Sequence, residues 1–297
     1  MSDQPILLSA SEKSIELNPS ILVAPTTLTI VSPIDDFYSH LASLIVVATK
    51  EALSENLSLG RVLLLGIVSG TEYYFRSVLS KLVSICPFSR NHSLSQTLTF
   101  GAAEYYSRVD IGFGLLEGHS FSSRAELVKQ TERLTNFKWK ESSSMAAAAA
   151  EFDRLCHLRH ASVHARGDIG ARNLHELKLQ KASGRLAVCV HFDGFQEAAA
   201  VCQNVVRAYN GFLYRETTQR WISNGALQGS WKIDRKSFSA LFSLFYSETD
   251  VVPALAVRDA YDAILPFLKK AADAKAKKAG STPKQAKPLM LPAPKGD

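Results

Sequence analysis

Half of the eight histidines lie between residues 157 and 175, and three of them fall on one face of a helix. His157, His160 and His164 stand at positions i, i+3 and i+7, which a helix brings together. Imidazole transfers protons near neutral pH, and two imidazoles at i and i+4 can also hold a metal ion. The sequence offers no obvious third metal ligand nearby other than His157 or Asp168. Acid–base chemistry is therefore the stronger hypothesis for this cluster.

Arg159 interrupts the apolar stripe beside the histidines. Phe152, Cys156 and Val163 belong to this stripe, and Arg159 occupies a position where another apolar residue would continue it. Burial of a guanidinium without a partner is costly. We therefore expect Arg159 to lie at a helix end, to be paired, or to serve a function. Three acidic residues are candidate partners: Asp153, Asp168 and Glu72.

Start and stop signals place this stretch near the end of one predicted helix. Ser142–Ser144 and the alanines at 146–150 favour its start, and Gly167 favours its end. Most of the remaining chain has helical apolar periodicity, with one short β-hairpin around Gly184. The other predicted helices cover residues 35–59, 61–85, 194–215 and 253–270, with one more starting at Ser122–Ser123; the hairpin strands cover 177–180 and 186–192.

Composition divides the chain into a principal domain and three flanking segments. Residues 1–34 contain four prolines and favour extended structure, 35–215 form the helical domain, and 216–268 form a small C-terminal segment. Residues 269–297 carry eight lysines and two acidic residues, which accounts for the whole net charge of +6. The sequence therefore predicts a neutral body with a basic, disordered tail.

Several classes of protein are disfavoured by simple absences from the sequence. The four cysteines form no CxxC pair, which argues against a disulfide framework or a Cys-based zinc site. No apolar run approaches the about 20 residues of a membrane helix, and no secretory leader is evident. Phosphate-loop, dinucleotide-binding and serine-hydrolase motifs are also missing. We expect a cytoplasmic protein without membrane association.

The stretch Arg159-His160-Ala161-Ser162-Val163-His164 resembles the signature of the HEPN superfamily (higher eukaryotes and prokaryotes nucleotide-binding). Ribonucleases of that superfamily carry Arg, four to six residues and His on the last helix of a four-helix bundle. A polar residue often follows the Arg, as His160 does here, and a glycine turn often follows the His, as at Gly167. Two other pairs match the bare spacing without this context: Arg154 with His160, and Arg185 with His191.

A second segment extends the resemblance. Residues 68–76, Val-Ser-Gly-Thr-Glu-Tyr-Tyr-Phe-Arg, are similar to the HEPN helix in which small residues precede an acidic residue and aromatics. The resemblance continues into 198–215 and covers about residues 35–215. It implies a mainly all-α, HEPN-like helical bundle.

The resemblance also implies a function and roles for four residues. It implies a metal-independent endoribonuclease without a cofactor, of the kind found in toxin–antitoxin and anti-phage defence systems. Such an enzyme cleaves single-stranded RNA by using the 2′-hydroxyl of the RNA as the nucleophile. His164 would be the general acid or base, Arg159 would hold the scissile phosphate, and His160 would assist. Glu72 would orient Arg159.

The implied partners are RNA, a second copy of the chain, and an antitoxin or regulatory protein. His164 lies five positions after Arg159, which leaves their side chains about 140° apart around a helix. HEPN ribonucleases dimerise through this helix, so that two copies form one composite cleft. Two alternatives stay open: a non-catalytic HEPN module that binds RNA, a nucleotide or a partner protein, and a helical scaffold with an incidental histidine cluster.

Overall fold

The computed structural model describes residues 13–25, 31–180 and 184–280. Contacts divide the chain into two units, Met1–Ile30 and Val31–Asp297. In the first unit, residues 13–25 are irregular apart from a short 3-10 turn at Pro19–Ile21. The helices of the second unit are α1 (Pro33–Val47), α2 (Lys50–Glu55), α3 (Leu57–Ile85), α4 (Pro87–His92), α5 (Phe100–Tyr105), α6 (Ile111–Leu116), α7 (Arg124–Thr135), α8 (Ser144–His164), α9 (Ala171–Glu176), α10 (Phe192–Asn224), α11 (Trp231–Phe245) and α12 (Val257–Gly280). The all-α prediction is confirmed.

The three long helices α3, α8 and α10 meet in an aromatic core. The Phe75 ring lies 5.5 Å from that of Phe152 on α8 and 5.1 Å from that of Tyr209 on α10, both edge-on. All three rings are fully buried. Burial of such rings and their edge-to-face geometry both stabilise the packing. The core therefore fixes the rotation of each helix and decides which of its residues face outward.

Contacts at the helix ends set the directions of these helices. Arg61, at the start of α3, donates to the carbonyl of Arg166 just past the end of α8, so α3 and α8 are antiparallel. Trp221 donates through Nε1 to the Cys86 sulfur at 3.2 Å, and both residues are near the C-terminal ends of their helices. Helix α10 thus runs parallel to α3. The antiparallel pair brings the end of α8 beside the first half of α3.

The boundaries of α8 confirm the sequence signals at both ends. The Ser143 hydroxyl accepts the N–H of Ala146 at 3.2 Å and caps the first turn. At the other end, Arg166 and Gly167 have φ values of 51° and 98°. The Gly167 N–H donates to the carbonyl of Ala161 at 2.9 Å. A left-handed turn of this kind ends a helix and favours glycine.

Residues 186–190 pair with the turn that follows α8. The Val188 N–H donates to the carbonyl of Gly167, and the Ile169 N–H donates to the carbonyl of Leu186, both at 2.8 Å. An isolated antiparallel bridge joins the residues between them. These bonds satisfy backbone groups that lie beyond the helix and would otherwise lack partners.

This pairing corrects the predicted β-hairpin, which the described residues do not form. The predicted partner strand, 177–180, directly follows α9 instead, and residues 181–183 lie outside the described part of the chain. The sequence pattern predicted a strand over 186–192; α10 begins at Phe192, and the rest of this segment has a different partner from the predicted one. The real partner is the turn that follows α8, at residues 167–169, whose free backbone groups leave no local pattern in the sequence.

The C-terminal segments extend the helical body. Helix α10 is continuous across the predicted boundary at 215 and 216, and Trp221, Phe238 and Tyr261 join the same buried core. Helix α12 reaches Gly280, so it includes the first part of the segment predicted as a disordered tail; residues 281–297 lie outside the described chain. In the described ranges, every helix is too short or too polar to cross a bilayer.

The close approach of the 186–190 segment to α3 requires a glycine at position 60. A Cβ there would overlap the carbonyl oxygen of Val190. We expect Gly60→Ala to lower the free energy of unfolding by about 1–3 kcal/mol, as overpacking does. Gly211→Ala is the matched control, because its Cβ would meet open space within α10, and alanine there should stabilise the helix by up to about 1 kcal/mol. Urea unfolding measures both, and equal effects would contradict the proposed contact.

Candidate functional site

Arg159, His160 and His164 lie in the last two turns of α8, and the two histidine rings are adjacent. The His160 and His164 rings have centroids 4.5 Å apart and are tilted by 47°. Both side chains are exposed, whereas His157, one turn earlier, is half-buried. The Arg159 side chain is 32% exposed. The structure thus places two imidazoles and one guanidinium where a ligand in solvent can contact them.

The partner of Arg159 is Glu72 on α3. Arg159 Nη2 lies 3.9 Å from Glu72 Oε1, within range of an ion pair but beyond a hydrogen bond. The other two candidate partners are engaged elsewhere. Asp153 accepts the Arg124 N–H at 2.7 Å, and Asp168 pairs with Arg185 at 2.6 Å. The antiparallel packing of α3 and α8 therefore selects Glu72.

Burial of Glu72 makes its charge costly in the folded state. Its side chain is 16% exposed, and Oε1 has no hydrogen-bond partner within the described chain. Burial raises the pKa of the Glu72 carboxyl, while the positive charge of Arg159 and a hydrogen bond from the Phe121 backbone partly lower it. The net shift is upward, so the attraction to Arg159 only partly offsets the desolvation of Glu72.

Arg76, one turn after Glu72, anchors the loop that supplies this backbone donor. Its guanidinium donates to the carbonyl of Leu116 and, at 2.8 Å, to that of His119. It also lies 5.5 Å from the centre of the Phe121 ring. Arg76 therefore holds the loop whose Phe121 backbone N–H reaches Glu72.

The end of α8 has a positive electrostatic environment. Burial lowers the pKa of His160, and the charges of His164, Arg159, Arg172 and His157 lower it further. The cationic side chains among these neighbours disfavour the protonated imidazole, and the same positive charges attract an anion such as a phosphate.

A cavity of about 380 Å³ opens beside His160, between the start of α7, the middle of α8, and α9. The α9 residues that line it are not among the candidates predicted from the sequence. Helix α9 has only six residues and no side-chain cap, so it gives almost no periodic signal. The spacing i, i+1 and i+4 of three polar residues was the one available sign. These α9 residues are Arg172, Asn173 and Glu176.

The surroundings of Arg159 differ from those of the two other arginines that match the Arg–His spacing. Arg154 is exposed and pairs with Glu151 at 2.9 Å, and Arg185 pairs on the surface with Asp168. Neither reaches a buried carboxylate on a second helix. Within residues 13–25, 31–180 and 184–280, no three His, Cys, Asp or Glu side chains gather as metal ligands. Arg159 alone of the three combines a buried anchor with neighbouring imidazoles.

Comparison with protein-family models, with curated proteins and with solved structures finds no match to this chain.

We expect Glu72→Gln to stabilise the fold while weakening the site. The pKa of Glu72 in the folded chain lies above the ordinary value of 4.5. Between these two pKa values the folded chain binds more protons than the unfolded chain, so the free energy of unfolding falls as pH rises through that range. Glutamine resembles the protonated acid. The variant should therefore be as stable as the parent at pH 4, and at pH 7 it should unfold at a higher urea concentration than the parent. Glu151→Gln, at an exposed pair, serves as the control. Lower stability of Glu72→Gln at pH 7 would contradict this account.

Proposed function

We propose that this chain is a metal-independent endoribonuclease of the HEPN type that cleaves single-stranded RNA. One observation carries the proposal: Arg159, paired with the largely buried Glu72, lies in the last two turns of α8 together with the exposed His160 and His164, whose rings are adjacent. The resemblance of this stretch and of residues 68–76 to HEPN ribonucleases supplies the reaction. The positive potential at His160 adds support, because an RNA phosphate is an anion.

The proposed reaction uses the nucleophile that RNA itself carries. A base removes the proton of the 2′-hydroxyl, O2′ attacks the adjacent phosphorus, and the bond from phosphorus to O5′ breaks. The 5′-oxygen takes a proton as it leaves, so the products are a 2′,3′-cyclic phosphate and a 5′-hydroxyl. An imidazole suits either proton transfer at neutral pH. We assign His164 to this role.

Arg159 and His160 act on the phosphate in this proposal. The guanidinium of Arg159 donates two parallel hydrogen bonds to phosphoryl oxygens and offsets the charge that develops during attack. The pKa of His160 is lowered, so its neutral form predominates at pH 7 and can donate one hydrogen bond from its ring. Glu72 is a positioning residue, because it restrains Arg159 without reaching the substrate.

The proposed active form is a homodimer through α8. Val163 lies between the two functional residues in sequence and is 46% exposed, which leaves an apolar side chain uncovered beside charged groups. A second copy packed across this face would cover Val163 and bring two sets of Arg159 and His164 to one cleft. A role as a toxin or anti-phage effector in the cytoplasm, restrained by an antitoxin or regulatory protein, accords with this activity.

Cleavage assays on single-stranded RNA in EDTA test the proposed chemistry. Arg159→Ala and His164→Ala should each lower the rate at least about 100-fold, the scale of a lost acid–base group; His160→Ala should lower it less. Arg154→Ala and His175→Ala are matched controls, since both side chains are surface residues of neighbouring turns. Cyclic-phosphate ends are expected on the products.

Three results would contradict or redirect this proposal. Unchanged cleavage in Arg159→Ala or His164→Ala would remove the assigned site. Cleavage lost in EDTA and restored by a divalent ion would remove the metal-independent mechanism. Binding of RNA without cleavage by the parent chain would favour the non-catalytic HEPN module.

Val163→Glu tests the dimer. Two introduced carboxylates would face each other near the twofold axis, and their repulsion and desolvation should separate the copies. We expect the parent to sediment as a dimer, and the variant to sediment as a monomer with reduced cleavage. Val109→Glu, which changes a valine that is 74% exposed, controls for added surface charge. A dimeric and fully active Val163→Glu variant would exclude an interface at this position.

A further inference from the structure

A second cavity lies between α8, the first turns of α10 and residues 186–190. Its volume of about 400 Å³ lies within the range of roughly 300–1,000 Å³ typical of small-ligand pockets. Leucine, isoleucine, valine and alanine side chains form most of its wall, and none of the described residues that line it is aromatic. The cavity is therefore an aliphatic one.

This lining suits a flexible hydrocarbon chain. The wall residues Leu155 and Val190 are buried. The charged lining residues are exposed and border solvent: Glu151 and Arg154 pair with each other at 2.9 Å, and Glu197 lies on α10. An aliphatic wall favours contact with methylene groups, whereas it offers no ring on which a planar ligand could stack.

A thiol and an imidazole lie together at this cavity. Cys189 is one of the lining residues, and its Sγ is 3.1 Å from His191 Nε2. Residues i and i+2 of an extended segment lie on the same side, which brings the two groups into contact. Cys189 is exposed, whereas the other three cysteines of the chain are buried. A thiol whose proton an adjacent imidazole can accept is a nucleophile with its own base.

We propose that Cys189 is an acylation site, which takes an aliphatic acyl group from a thioester while the cavity holds the hydrocarbon chain. The cavity selects the chain, and the thiol selects a ligand with an electrophilic carbonyl carbon. The inference is independent of the proposed ribonuclease function, because Cys189 and His191 have no part in that reaction.

The acyl transfer exchanges one thioester for another. His191 Nε2 takes the thiol proton as Cys189 Sγ forms a bond to the carbonyl carbon of the incoming thioester. The bond from that carbon to the leaving sulfur then breaks, and the imidazolium returns the proton to the leaving thiolate. The products are a thioester at Cys189 and a free thiol, so the step consumes neither oxidant nor reductant.

Intact-mass measurement on the full-length chain tests the proposal. The probes are the butanoyl and octanoyl thioesters of N-acetylcysteamine, and each rate is divided by the rate of free N-acetylcysteine with the same probe. The parent should gain a single octanoyl group that hydroxylamine removes. Its normalised rate should be at least about tenfold higher with octanoyl than with butanoyl, because each methylene that enters the cavity strengthens binding by up to about fourfold.

Variants assign the reaction to these residues. Cys189→Ser should gain no acyl group. His191→Gln removes the base and should slow both probes at least about tenfold, while His175→Gln, at an exposed histidine of α9, should change neither rate. Val201→Phe narrows the cavity and should reduce the preference for octanoyl; Val62→Phe, at a valine that is 60% exposed on α3, is its control.

Competition by octanoate gives a readout that needs no variant. Octanoate has the hydrocarbon chain but no transferable acyl group, so it should slow octanoylation of the parent. Equal normalised rates for the two probes, or no competition by octanoate, would overturn the role of the cavity. Acylation that persists in Cys189→Ser, or an unchanged rate in His191→Gln, would overturn the assigned pair.

Discussion

The ion pair between Arg159 and Glu72 links the exposed end of α8 to the buried interior of α3, and the candidate site depends on it. Without Glu72, the arginine would have several rotamers in solvent; without Arg159, Glu72 would be a carboxylate with one unpaired buried oxygen. The upward pKa shift of Glu72 shows that the pair does not recover its desolvation cost. Stability alone therefore does not account for this pair, which restrains a guanidinium near the protein surface.

Helix packing makes this pair geometrically possible. The aromatic contacts of Phe75 with Phe152 and Tyr209 fix how α3, α8 and α10 face each other. The turn at Gly167, held by residues 186–190, then ends α8 directly after His164. Gly60 allows that segment to lie against α3. These contacts fix the backbone at the end of α8, where segment 186–190 lies on one side and α3 on the other, and they leave the histidine side chains exposed.

Charge is distributed differently along the sequence and in space. The net charge of +6 is carried by residues 269–297, yet the candidate site lies in the neutral body. The positive charges near His160 are Arg159, its neighbour within α8, and Arg172, which α9 brings beside α8. Local clustering can therefore attract a phosphate without an overall basic domain.

The sequence by itself determined the helical class, both boundaries of α8 and the grouping of Arg159, His160 and His164, because each depends on periodicity or capping over a few residues. It named Glu72 as one of three acids for Arg159 but could not choose among them. The tertiary structure made that choice, paired residues 186–188 with the turn after α8 instead of a hairpin strand, and placed α9 against the site. Each of these depends on contacts between residues far apart in the chain. Side-chain packing and unsatisfied backbone groups select the partner in such contacts, and a local sequence pattern does not indicate which partner is selected.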